Sequence, residues 1–161
     1  MNVTFIAHSA FLVEWDKFYT LFDYVYEPDY TGTLPALDPQ KPLLVFSSHS
    51  HEDHFDAKVF GLLEKYPLTR FFVSRDTRLT ERRRKWLNIS DEAFARTTVL
   101  RPDSLLLTEA AGEELSIRAI KSTDIGNAYL LRSEGKLVYH GGDLNWWHWE
   151  SEGKAYCGRD V

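Results

Sequence analysis

The sequence predicts a mixed α/β domain with many short strands, and three observations carry that reading. Aromatic and β-branched residues gather in short runs bounded by turn residues. One run, Leu43-Leu44-Val45-Phe46, is apolar throughout, as expected of a strand buried on both faces. The helical patterns are few and short and follow the first strands. With 161 residues the chain fits one ordinary domain able to bury a core.

Taken in order, residues 3–7, 10–15 and 18–23 read as strands, with Asp16-Lys17 as a hairpin turn. Residues 24–42 hold four of the six prolines and form a loop. The strand at 43–46 runs into the segment SSHSHEDHFD. Residues 57–66 then place Val59, Phe60, Leu62 and Leu63 at helical spacing and stop at Pro67. Residues 70–74 form a strand, 80–87 a short helix, and Ser90-Asp91-Glu92 opens another helical turn. Strands return at 97–100, 105–108, 115–120, 128–132 and 137–140, with Glu134-Gly135 as the turn between the last two.

A composition of 43% hydrophobic, 27% charged and 14% aromatic residues is that of a soluble globular protein. No apolar run reaches the roughly 18 residues of a membrane span, and the N-terminus lacks the basic start and apolar stretch of a signal peptide. The net charge of −5 argues against a protein built to grip nucleic acid. The cluster Arg82-Arg83-Arg84-Lys85 reads as a solvated helix face, with an anion or RNA contact as the alternative. Cys157 is the only cysteine, so neither internal disulfides nor a cysteine-rich zinc site is expected. A cytoplasmic protein without a membrane or nucleic-acid partner follows.

The chemistry concentrates at residues 49–54. His49, His51, Asp53 and His54 spell H-x-H-x-D-H directly after a buried strand, on a loop where side chains can converge. Imidazole nitrogen and carboxylate oxygen are ligands that suit Zn, Fe and Mn. Alternate spacing puts His49 and His51 on one side, while Asp53 and His54 turn toward a neighbouring position as the helix starts. Two metal positions about 3.5–4 Å apart can be served by one such loop. The competing reading is a histidine-rich capping loop, in which Asp53 or Asp56 caps the helix.

A hydrophobic strand ending in H-x-H-x-D-H resembles the signature of the metallo-β-lactamase superfamily. Asp23, ending FYTLFD, resembles the acid that closes an early strand in that family, and Asp143 in LVYHGGDLN resembles its later Gly-Asp, whose carboxylate bridges two metals. The opening TFIAHSAFLVEWDKFYTLFDY further resembles the branch of ascorbate-6-phosphate lactonase-like proteins, in which a histidine in a similar turn, here His8, lies near the site. The resemblance implies an αββα sandwich, of which this chain spans the first half and part of the second. It implies one or two Zn ions, with Mn or Fe as alternatives, on His49, His51, Asp53, His54 and Asp143. Asp53 would both ligate and orient the reacting water. Each carried-over residue keeps its simpler alternative: a turn residue for Asp143, a backbone-bonding acid or outer partner for Asp23, a packing residue for His8, a helix cap for Asp56.

Two departures stand out. The family pattern expects a histidine within residues 117–131, IRAIKSTDIGNAYLL, and none is there. Asp124 is the best substitute, since a carboxylate can ligate in place of an imidazole and shifts preference toward Mn or Fe; the alternative is an Asx-turn residue. The family also takes a last histidine from a C-terminal loop, whereas this chain ends soon after Asp143. His148 reads as the polar member of an aromatic cluster with Trp146, Trp147 and Trp149. Truncation, or pairing in a homo-oligomer, is the expectation, because one sheet would otherwise expose an apolar face. The implied activity is metal-dependent hydrolysis of a lactone, ester or phosphodiester in a small molecule, with Lys121 and the 24–31 loop as wall residues. A catalytically impaired member acting as a binding or assembly module is the alternative.

Overall fold

The apolar run at 43–46 becomes the middle of a six-stranded sheet. A computed structural model describes residues 1–26 and 32–143 of the chain. In it, β1 (Asn2–Ala7), β2 (Ala10–Glu14), β3 (Tyr19–Phe22), β4 (Leu43–Ser47), β5 (Thr69–Ser74) and β6 (Thr97–Leu100) lie side by side in chain order. The first three are antiparallel and the last four run parallel to one another. β7 (Leu105–Ala110), β8 (Glu113–Lys121), β9 (Asn127–Ser133) and β10 (Lys136–His140) form a second, wholly antiparallel sheet in the order β10-β9-β8-β7.

Strand periodicity sets the layers. In β4 every side chain is buried: Leu43 and Val45 face one way, Leu44 and Phe46 the other. The Leu44 and Phe46 face meets Trp15, Phe18, Phe22 and Phe72 of its own sheet and Leu115, Ile117, Tyr129 and Leu131 of the second. Each such large side chain taken from water contributes roughly 1.5–3 kcal/mol. The opposite face carries the helical layer: a 3₁₀ turn (Ala57–Gly61), α1 (Leu62–Lys65), α2 (Glu81–Trp86) and α3 (Asp91–Ala95). Thr80 caps α2 through Arg83 N, and Ser90 caps α3 through Ala93 N.

The segment expected as one helix over 57–66 is instead a 3₁₀ turn followed by a single turn of α1. Both pieces bury the same apolar face, Val59 and Phe60 from the first and Leu62 and Leu63 from the second. Asp56 caps the turn, its Oδ1 accepting from Lys58 N at 2.9 Å. At the far end of the molecule, Glu134 in the β9–β10 turn accepts from Asp16 N and Lys17 N at 2.8 and 2.9 Å, tying the two sheets together.

The outer face of the second sheet carries Leu105 (62% exposed), Leu107 (73%), Leu137 (59%) and Tyr139 (54%). This is the apolar face anticipated above. Among the described residues no helix is long and apolar enough to cross a membrane. His148, the tryptophans at 146, 147 and 149, Cys157 and residues 27–31 lie outside the described residues.

Candidate metal centre

β3 and β4 run parallel, and their pairing ends at Phe22–Phe46. The first residue beyond β3, Asp23, takes a left-handed backbone (φ 45°), which Asp tolerates better than most residues. Its N–H donates to Phe46 O at 2.9 Å, and its carboxylate turns under the loop that follows β4. There it accepts four hydrogen bonds: Ser48 N and Ser48 Oγ at 2.7 Å each, and His54 Nδ1 and His140 Nε2 at 2.8 Å each. Burial by itself would raise this carboxyl. The charge of His140 and the hydrogen bonds from His140 and His54 outweigh that and hold it far below the usual carboxylate range.

These bonds assign protons. An ionised carboxylate only accepts, so His54 Nδ1 carries a proton and its Nε2 offers a lone pair. Ser48 Oγ gives its proton to Asp23, so it accepts from His49 Nδ1 at 2.9 Å, and His49 Nε2 is left with a lone pair too. Besides His140, Asp23 thus orients two imidazoles of the candidate site, His54 directly and His49 through Ser48, as outer partners of metal ligands do. His49 and His54 are 0% and 1% exposed, with ring centroids 4.0 Å apart. Burial, then the neighbouring His54, pushes His49 below the ordinary imidazole value. Burial also opposes protonation of His54, but the bond to Asp23 and the charges of Asp23, Asp143 and Asp53 raise it.

The next residues curl back, His54 N and Phe55 N both donating to His51 O at 3.0 and 2.8 Å. This turn sends His51 to one side and Asp53 with His54 to the other. Asp76, after β5, holds the loop by accepting from Ser50 N at 2.7 Å. From the second sheet, the β8–β9 loop reaches the same place because Gly126 lets it. Its φ is +78°, and a Cβ there would lie 2.3 Å from Ser48 O and 2.5 Å from His49 Cβ. Asn127 N then donates to Ser48 O at 2.9 Å. Gly142 does the same beyond β10 (φ +52°), where a Cβ would lie 2.8 Å from Ser48 Cβ, and the chain delivers Asp143.

Two donor groups result. His49, His51, Asp124 and Asp143 form one, and His8, Asp53 and His54 the other; within each, one ligand atom per residue lies within 4.8 Å of the rest. Asp143 spans them, with Oδ2 3.5 Å from His49 Nε2 and Oδ1 3.3 Å from His54 Nε2. Asp53 Oδ2 stands 3.5 Å from His54 Nε2 and 3.0 Å from His8 Nε2, and Asp124 Oδ2 3.7 Å from His51 Nδ1. Ligands at about 2.0–2.1 Å on a tetrahedral ion sit roughly 3.3 Å from one another, so these separations and this nitrogen–oxygen donor set fit a divalent cation at each position. The imidazoles of His49 and His54 form the buried floor. The half-exposed Asp53, Asp124, Asp143 and His51 leave the opposite side open to a substrate.

The structure thus brings His8, His49, His51, Asp53, His54, Asp124 and Asp143 together, with Asp23 beneath them, whereas Asp56 serves as the cap of the 3₁₀ turn. His8 sits in the tight β1–β2 turn at φ 48°, and its ring joins the Asp53 and His54 group. At Asp124 the turn is made by Ser122, whose Oγ accepts from Asp124 N at 3.3 Å and whose N–H donates to Gly126 O at 3.2 Å, while the Asp124 carboxylate points to His51. Lys121 is exposed at the end of β8. Three contributors escaped sequence reasoning: Ser48, Asp76 and His140. The last had a signal, since it stands one residue before Gly141-Gly142-Asp143 at an inward position of β10. It stacks on Phe22 with centroids 4.7 Å apart.

A family model described as the beta-lactamase superfamily domain matches residues 2–158. No curated protein matches the chain. Among solved structures, a metallo hydrolase from the hyperthermophilic archaeon Ignicoccus hospitalis is similar at 20% identity and a TM-score of 0.56, over 87% of this chain and 59% of that one. CmlA, a diiron β-hydroxylase from Streptomyces venezuelae, is similar at 14% identity and 0.57, over 88% of this chain and 29% of that one. A protein described as a possible metal-dependent hydrolase from Veillonella parvula is similar at 16% identity and 0.55, over 89% and 63%. At these identities the likeness is one of fold, and the chain spans less than two thirds of each of these structures.

Proposed function

The chain belongs to the beta-lactamase superfamily, and on that premise we propose that it is a metal-dependent hydrolase of a small molecule, cleaving a lactone, ester or phosphodiester. The observation that carries this reading is the pair of donor groups joined by Asp143 over a histidine floor that Asp23 orients. His49, His51, Asp124 and Asp143 would hold one ion, and Asp53, His54 and Asp143 a second. A bound divalent ion supplies Lewis acidity, lowering the pKa of water and polarising a carbonyl or phosphoryl oxygen. Asp53 orients the attacking water and takes its proton, and His8, 3.0 Å away, steadies Asp53 and passes that proton to the leaving oxygen. Asp23 keeps the lone pairs of His49 and His54 aimed upward throughout.

A carboxylate at 124 in place of an imidazole favours harder ions, so Mn or Fe join Zn as candidates. A neighbour in fold, CmlA, is a diiron protein. The test is metal analysis of protein purified without chelator, followed by turnover of a generic lactone and phosphodiester. About one to two equivalents of Zn, Mn or Fe, with activity abolished by His51→Ala, is the expected result. A small fraction of an equivalent with no rebinding refutes the metal reading. The exposed leucines at 105, 107 and 137 favour the second reading, a family member serving as a binding or assembly module through that face. Metal uptake without any turnover would select it.

A further inference from the structure

Beside the metal centre, the basic run noticed in the sequence takes on a different character. Beyond the carboxyl ends of the parallel strands β4 and β5, where open α/β sheets bind ligands, lies a cleft of about 690 Å³. Ser50, Ser74, Arg75, Asp76, Arg78 and Arg83 line it. Ser50 stands between His49 and His51, and the opposite wall is Ile125-Gly126, directly after Asp124, so the cleft is bounded by the two loops that carry the first donor group. Arg83 belongs to the run at 82–85, but it is half-buried and turned inward. Arg84 of the same run is bound to Glu81 and Asp91 instead.

Three further observations mark this cleft as built for a ligand. None of Arg75, Arg78 and Arg83 has a carboxylate partner among the described residues. Ser74 is 0% exposed, and its Oγ takes no hydrogen bond. Arg83 Nε and Asp76 Oδ1 are likewise buried without a partner, a condition that folded proteins normally avoid. Three guanidiniums against one carboxylate leave the cleft a charge of +2, which matches a phosphate monoester of about −1.5 to −2 at neutral pH.

We propose that this cleft is an anion subsite that holds the phosphate of a phosphate-monoester substrate, with Arg75, Arg78, Arg83 and Ser74 donating to its oxygens and Asp76 Oδ1 accepting from a neighbouring substrate hydroxyl. Guanidinium forks pair with phosphate oxygens two at a time, which fixes orientation as well as affinity. The phosphate then holds the rest of the substrate toward His51 and Asp124. The inference rests on the hydrolase reading only in taking the bound group to be part of that substrate.

Calorimetric titration with inorganic phosphate tests it, using the full chain stripped of metal and dialysed free of chelator, so that phosphate has no ion to bind. Saturable binding is expected, about equal in wild type and His51→Ala, weakened about tenfold or more by Arg83→Gln, and abolished in the Arg75→Gln/Arg78→Gln/Arg83→Gln triple variant. Acetate binds at least about tenfold more weakly, as a single negative charge should. Metal uptake by the triple variant stays at the wild-type level, and its circular dichroism and melting temperature report an intact fold. Absence of saturable phosphate binding, equal affinity in wild type and triple variant, or acetate binding as tight as phosphate would each overturn the proposal. Failure of metal uptake with intact phosphate binding would remove the hydrolase reading and leave the anion site standing.

Discussion

Replacing Asp23 by Asn tests the frame beneath the metal centre. The wild-type carboxylate uses Oδ1 for Ser48 N and Oδ2 for Ser48 Oγ, His54 Nδ1 and His140 Nε2. An Asn amide can keep its oxygen at the Oδ2 place, but its NH₂ then meets the buried Ser48 N–H, two donors face to face. That unpaired N–H costs about 1–3 kcal/mol, and the two histidine bonds each lose about 1 kcal/mol when the acceptor is no longer charged. The sum, about 3–5 kcal/mol, is the range seen when one partner of a buried charge network is removed. Urea unfolding of the metal-free protein followed by tryptophan fluorescence measures it. Losing an outer partner should also weaken metal binding about 10–100-fold.

The pH dependence has a definite sign. Asp23 is depressed in the folded state, so its contribution is present above its ordinary value of 3.8 and fades as pH falls through the folded value. His54 is raised, despite its burial, chiefly by Asp23, so its contribution is complete below 6.5 and fades as pH rises through the folded value. The stability gap between wild type and Asp23→Asn should therefore be widest between 3.8 and 6.5 and narrow on both sides. A variant within about 1 kcal/mol of wild type across that window, with unchanged metal affinity, would refute the account of Asp23 as the orienting group.

Other substitutions probe single contacts. Asp124→Ala should lower metal affinity by more than the roughly 10–100-fold that an outer partner carries, measured by competition with a chromogenic chelator, whereas Asp124→His should retain binding and shift preference from Mn toward Zn. Gly126→Ala forces a Cβ to within 2.3 Å of Ser48 O at φ +78°. It should cost about 2–4 kcal/mol by urea unfolding and loosen metal binding with it. Tyr129→Phe removes the buried hydroxyl that donates to Ser47 O at 2.9 Å, and a loss of about 1 kcal/mol with unchanged metal affinity is expected.

Strand positions were legible because local composition decides them: every strand expected from aromatic and β-branched runs is present within a residue or two. Their partition was not. Nothing in residues 97–110 says that β6 closes one sheet and β7 opens another, because that depends on side chains such as Phe46 and Tyr129 meeting across the sandwich, contacts remote in sequence. The 3₁₀ turn was hidden for a related reason: an i,i+3 apolar pair satisfies both helical repeats, so the pattern at Val59, Phe60, Leu62 and Leu63 does not distinguish them. Arg83 misled for the opposite reason. Its neighbours Arg82 and Lys85 are exposed, and a charge run carries no mark of which member turns inward.

For the site, the loop at 49–54 announced candidate donors, but not what draws them to one place. That work falls to residues with no metal chemistry of their own. Ser48 passes the Asp23 charge to His49, Gly126 removes the Cβ that would block the second sheet from the loop, and Asn127 N fixes the approach on Ser48 O. With the β8–β9 backbone pinned at that point, the side chain three residues before Asn127 is carried to His51 whatever its identity. On the proposed reading an aspartate would then stand where the family pattern has a histidine, the backbone supplying the position and the residue at 124 the hardness of the donor. The same pinning puts Ile125-Gly126 on the wall of the arginine cleft, so one short loop borders both the first donor group and the proposed anion subsite.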